Sequence, residues 1–147
     1  MRRLLLLAGC ALALPGCGGG GSSSTTETSA TGPTIVVAGL DPPTGCYVTV
    51  FMVEDATNAQ IAQVRNVLLA NRAISQIAYV SKALELKRFA KTNPAAAKSL
   101  HVNPFADRFE AVPRTQLGVF SIIGEFATRG GPITNVKPSD GCGTGTG

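Results

Sequence analysis

Residues 46–53, Cys-Tyr-Val-Thr-Val-Phe-Met-Val, are rich in β-branched and aromatic side chains and follow the turn-forming run Asp41-Pro42-Pro43-Thr44-Gly45. That is the pattern of a strand. A few residues later it changes: Thr57-Asn58-Ala59-Gln60 is a capping box, and Ile61, Val64 and Leu68 lay an apolar stripe at spacings of three and four along a helix to about Asn71. This switch from strand to helix recurs down the chain and restricts its folds more than any other feature. Ile74, Ile77 and Val80, with Tyr79 beside them, predict a second strand over 74–80. Ser81 stands where a helix N-cap belongs, and Leu84, Leu86 and Phe89 carry a helix to about Lys91. Asn93-Pro94 interrupts it, and residues 95–100 suffice for another turn or two. Residues 108–112 are a third strand, with Phe109, Ala111 and Val112 packing. Residues 116–128 form a helix whose buried face is expected to be Val119, Phe120, Ile123, Phe126 and Ala127, and Gly130-Gly131 stops it. Residues 133–137 are the last strand, and 33–40 are a candidate for one more short strand.

The N-terminal end reads as an export signal. Met1-Arg2-Arg3 precedes a Leu/Ala run over 4–14, and Pro15-Gly16-Cys17 follows. A charged start, an apolar stretch of roughly 7–15 residues and a small residue before the cut mark a secretory signal. The run is well short of the ~20 residues that a membrane-spanning helix needs. Leu14-Pro15-Gly16-Cys17 resembles a lipobox, which makes Cys17 the expected lipidation site. Leu7-Ala8-Gly9-Cys10 also fits, but a cut there would leave almost no apolar core to the signal. The bland alternative for Cys17, a core or disulfide cysteine, conflicts with the glycines and serines that follow at once over 18–24. The expected organisation is a signal peptide over 1–16, a Gly/Ser/Thr-rich tether over 17–33, a folded domain over 34–142 and a flexible tail over 143–147. At 5–6 Å × √n, a tether of about 16 residues spans roughly 20–24 Å.

The folded part, roughly 105 residues, is the size of one domain. The order β-α-β-(α)-β-α-β predicts an α+β fold: a ferredoxin-like four-stranded antiparallel sheet with helices on one face and a small helical insertion lobe. In that topology the first and last strands are antiparallel neighbours, so the start of one lies beside the end of the other. Cys46 and Cys142 sit at those places. With Cys10 in the signal and Cys17 acylated they form an even pair in an exported chain, which points to a disulfide. Two unrelated free thiols are the alternative.

Charge and motifs narrow the function. Removing Arg2 and Arg3 with the signal takes 13 basic residues to 11, against 9 acidic ones, a balance of +2. No basic cluster with interleaved aromatics occurs, so nucleic acid is not an expected partner. His101 is the single histidine and reads as a loop residue. No nucleophile motif, carboxylate pair, metal-ligand spacing or phosphate loop is recognisable. The expectation is therefore no enzyme activity, no cofactor and no metal.

Three stretches in order carry a resemblance. They are Val48-Thr49-Val50-Phe51-Met52 followed by Asp55-Ala56-Thr57-Asn58-Ala59-Gln60-Ile61, then Tyr79-Val80-Ser81-Lys82-Ala83-Leu84 with Phe89 after it, then Asn103-Pro104-Phe105-Ala106-Asp107-Arg108-Phe109-Glu110-Ala111. Over residues 46–138 the chain resembles the extracellular domain of FtsX, the permease-like cell-division protein. The resemblance implies a domain outside the membrane that contacts peptidoglycan hydrolases or their adaptors. In the family, an ATPase inside the cell drives that domain through transmembrane helices. Here a lipid anchor is expected instead, which leaves the binding module without the motor and adds a division permease to the possible partners. The resemblance also implies that the helical lobe offers partners an apolar surface, here Leu86, Phe89, Leu100, Val102 and Phe105 among Lys87, Arg88, Lys91 and Lys98. The competing reading packs these residues as a satellite core. A competing function is a small-ligand carrier or sensor anchored in the envelope.

Overall fold

The computed structural model describes residues 32–142. The signal, Cys17, nearly all of the tether and the tail over 143–147 lie outside the described residues. The elements are β1 (Thr34–Val37), β2 (Val48–Met52), α1 (Asn58–Ala70), β3 (Ile74–Val80), α2 (Lys82–Thr92), α3 (Pro94–Ser99), β4 (Arg108–Pro113), α4 (Gln116–Ala127) and β5 (Ile133–Pro138), with a 3₁₀ turn over Asp140–Cys142.

The helices begin where side chains can satisfy their free N–H groups. Thr57 accepts from the Gln60 backbone N–H at 3.3 Å while Gln60 Oε1 accepts from Thr57 N–H at 2.8 Å, a complete capping box. Ser81 caps α2 through Leu84 N–H, and Thr115 caps α4 through Gly118 N–H, each at 3.2 Å. Beyond α4, Gly130 and Gly131 take φ of 60° and 66°, the left-handed region that glycine enters without steric cost.

The fold is α+β, and its sheet has five strands in the order β1-β3-β4-β2-β5. The β3–β4, β4–β2 and β2–β5 pairs are antiparallel, and β1 adds to the edge of β3 in parallel. The expected four-stranded, wholly antiparallel ferredoxin-like sheet is corrected to a five-stranded mixed one. The extra strand comes from Thr34-Ile35-Val36-Val37, a β-branched run with the propensity for a strand. Its parallel partner β3 starts some 40 residues later, and no local turn in the sequence announces a crossover of that kind.

Alternation along the strands divides the sheet into two faces. Val48, Val50 and Met52 of β2, Ile77 of β3 and Phe109 and Ala111 of β4 face α1 and α4, where Ile61, Val64, Leu68, Val119, Ile122 and Phe126 complete the core. The stripe expected on α1 is the one buried. On α4 the buried face is Gly118, Val119, Ile122 and Phe126; Phe120 is 71% exposed and Ala127 lies at the surface, against expectation. α2 lies over the opposite face, on the side of Thr49, Ala78 and Glu110, so the inserted lobe covers the sheet surface that α1 and α4 leave open.

Cys46 and Cys142 form a disulfide with Cα atoms 4.3 Å apart. β2 and β5 pair antiparallel with Val48 opposite Pro138, which brings the two chain segments together. Tyr47 and Ser139 reinforce the junction: Ser139 N–H donates to Tyr47 O at 2.8 Å, and Tyr47 N–H donates to Ser139 Oγ at 3.1 Å. A Cβ on Gly141 would fall 2.6 Å from Gly45 O, so only glycine fits there.

Candidate functional site

The lobe, α2, α3 and the loop to β4, is fixed to the sheet at two points. The first is Asp107, 8% exposed. Its Oδ1 accepts from Lys82 N–H at 2.8 Å, in the first turn of α2, where a carboxylate also favours the helix dipole. Its carbonyl accepts from Met52 N–H at 2.9 Å. Burial first, and then a hydrogen bond to Asp107, push the Tyr79 phenol up to about 12. Asn103 closes the loop by donating from Nδ2 to Lys82 O at 2.9 Å and accepting from Phe105 N–H at 3.0 Å. Tyr79, Lys82, Asn103 and Asp107, from two separate sequence stretches, thus form one clamp.

The second point is ionic. Arg88 of α2, 7% exposed, meets Glu110 of β4, 1% exposed, through Nη1–Oε1 at 2.5 Å and Nη2–Oε2 at 3.3 Å. Its Nε donates to Gly39 O at 2.9 Å, and its Nη2 reaches Asp41 O at 3.3 Å. One guanidinium therefore joins the lobe helix, the central sheet and the segment after β1. Arg108 lies 3.0 Å from Glu110 and 2.7 Å from Glu85, though the latter contact is not a directed hydrogen bond, and Arg108 Nε is buried without a partner. At the rim Lys91 pairs with Asp41 at 2.6 Å. Tyr47 lies alongside, its pKa raised by burial and then by the Glu110 carboxylate. From the sequence, Arg88 and Lys91 are expected among the charges around the lobe's apolar surface; Arg88 is instead buried on Glu110, and nothing in the sequence assigns a role to Glu110 or Arg108. Glu110 alternates with buried Phe109 and Ala111, so it reads as an exposed strand residue unless a helix covers that face.

The five expected partner-binding residues all lie on the lobe. Phe89 and Phe105 meet with ring centroids 5.4 Å apart at 55°, and both are half-buried. Leu86 is half-buried three residues before Phe89 on α2, Leu100 follows α3 at 36% exposure, and Val102 is 78% exposed. The aromatic pair packs against itself while the aliphatic residues reach solvent. His101 is exposed beside Val102, and no group of His, Cys, Asp and Glu that could hold a metal occurs among the described residues.

The lobe thus presents an aromatic pair with aliphatic residues at its rim, on a base clamped to the sheet. Residues 46–129 match the family model of the FtsX extracellular domain, and the chain belongs to that family. The match spans β2 to α4; β1 and β5 lie outside it. No curated protein matches the chain. An extracellular-domain family sets the chain in an extracytoplasmic location, where a disulfide such as Cys46–Cys142 persists. No helix among the described residues is long and apolar enough to cross a membrane.

Proposed function

We propose that the chain is a lipoprotein, acylated at Cys17 after removal of residues 1–16, that displays a cell-division interaction module at the outer face of the membrane. Its partner is a peptidoglycan hydrolase, the adaptor of one, or a division permease. It binds through Leu86, Phe89, Leu100, Val102 and Phe105. The observation that carries this reading is the Phe89–Phe105 pair, held half-exposed on a lobe whose base is fixed by directional bonds. Apolar groups on a preorganised element bind without an ordering cost.

Two measurements test it. Radiolabelled fatty acid should enter the full chain and be lost in Cys17→Ser; equal labelling of both would remove the anchor. Cross-linking in the native cells should recover one of the three partner types with the unaltered chain and lose it with Phe89→Ser or Phe105→Ser. Recovery that survives both substitutions would move binding off the lobe, and a bound small molecule instead of a protein would favour a carrier or sensor.

A further inference from the structure

The two edges of the sheet are built differently. β5 carries Asn135, Lys137 and Pro138, and its pairing with β2 shifts register between Phe51 and Met52. A charge, a proline and a bulge are the devices by which edge strands avoid pairing with other chains. β1 has none of them. Thr34-Ile35-Val36-Val37 contains no charge and no proline, and it pairs with β3 in continuous register. No charged residue occurs between Glu27 and Asp41. Ile35 is 59% exposed and Val37 97%. β3 occupies one edge of β1, and among the described residues no strand occupies the other. β1 precedes the residues that match the FtsX family.

We propose that the free edge of β1 pairs antiparallel with β1 of a second copy, joining two five-stranded sheets into one. A two-fold arrangement centred on Val36 is self-complementary. It sets Ile35 of one copy opposite Val37 of the other on the same face, so the exposed aliphatic side chains cover each other. The occupant follows from where the chain leaves the described structure: β1 is the first element after the N-terminal residues, with its start at Thr34. Resting here on the anchored reading above, copies held on one membrane by tethers of equal length present β1 at the same height. Confinement to a surface raises their effective concentration. A contact of four residues per copy is small for a stable interface, so anchored copies should pair more completely than free ones.

The test uses the full chain in the membranes of cells that make it. With a short bismaleimide, Ile35→Cys should give covalent dimer on the order of tenfold above Asn135→Cys on the guarded edge, as expected when surface confinement favours one contact. Adding Val37→Lys to Ile35→Cys should remove the dimer, and since that side chain is already 97% exposed the change leaves folding intact. Equal yields at the two edges, or no dimer at Ile35→Cys, would overturn the pairing. Fractionation separates the two claims. Dimer found in the soluble fraction supports the pairing and removes the anchor, whereas a membrane-bound chain without dimer does the reverse.

Discussion

The two faces of the sheet are closed by opposite chemistry. Toward α1 and α4 the contact is apolar throughout, from Val48, Val50 and Phe109 to Leu68, Ile122 and Phe126. Toward α2 the buried Ala78 and Val80 share the face with Thr49 and Glu110, and Arg88 descends onto the carboxylate. Apolar burial is non-directional and fixes how much surface is hidden, more than how the surfaces are oriented. A guanidinium fork on a carboxylate holds in one geometry. The core is thus set by area, while the lobe that carries the proposed binding surface is set by angle.

Glu110→Ala should cost about 3–5 kcal/mol, because it leaves the buried Arg88 and the half-buried Arg108 with Glu85 as their remaining carboxylate. Phe126→Ala should cost a similar amount, about 3–5 kcal/mol, by leaving a cavity. The faces differ in repair. Replacing Arg88 with Met and Glu110 with Leu together should recover most of the first loss, since apolar substitutes for a buried ion pair are often neutral or better. In urea unfolding, a double variant no more stable than Glu110→Ala would end the contrast between the faces. The same double variant should weaken recovery of the cross-linked partner even with stability restored; undiminished recovery would show that the lobe needs no directional base.

Smaller effects sharpen the picture. Replacing Cys46 and Cys142 with Ser should cost about 2–4 kcal/mol and act on the β2–β5 junction, not on the lobe. Tyr79, which packs on Phe109 on the α1 and α4 face and bonds to Asp107, adds a pH signature. Its folded pKa of about 12 lies above the ordinary 10.0, so its contribution to stability is whole below pH 10 and falls as pH rises toward 12. Tyr79→Phe should flatten that alkaline decline in thermal melts, and an identical decline in the variant would assign it to another group. Thr57→Ala, on the α1 capping box, should cost about 1 kcal/mol with the lobe undisturbed.

Most of the elements were legible from local patterns. The stripe Ile61, Val64, Leu68, the caps at Thr57 and Ser81, and the strands of β2 to β5 depend on neighbours within a turn or two. The disulfide followed from the element order. Where packing decides, the reading slipped: Phe120 fits a helical stripe as well as Ile122 does, and only the orientation of α4 against the sheet buries the second. The five lobe residues were named from a resemblance, and the structure joins two of them, Phe89 and Phe105.

The sequence by itself determined the α+β class, the order of elements and the family, because propensity, periodicity and capping are local; it pointed to the Cys46–Cys142 bridge, and the structure closed it. Only the tertiary structure decided that β1 completes a five-stranded mixed sheet, that α2 closes its second face, and that Arg88 and Glu110 meet there 22 positions apart. Those contacts join residues remote along the chain. A charged residue in a strand looks the same in sequence whether it faces water or a guanidinium, and what lies across from it is settled only when the chain has closed.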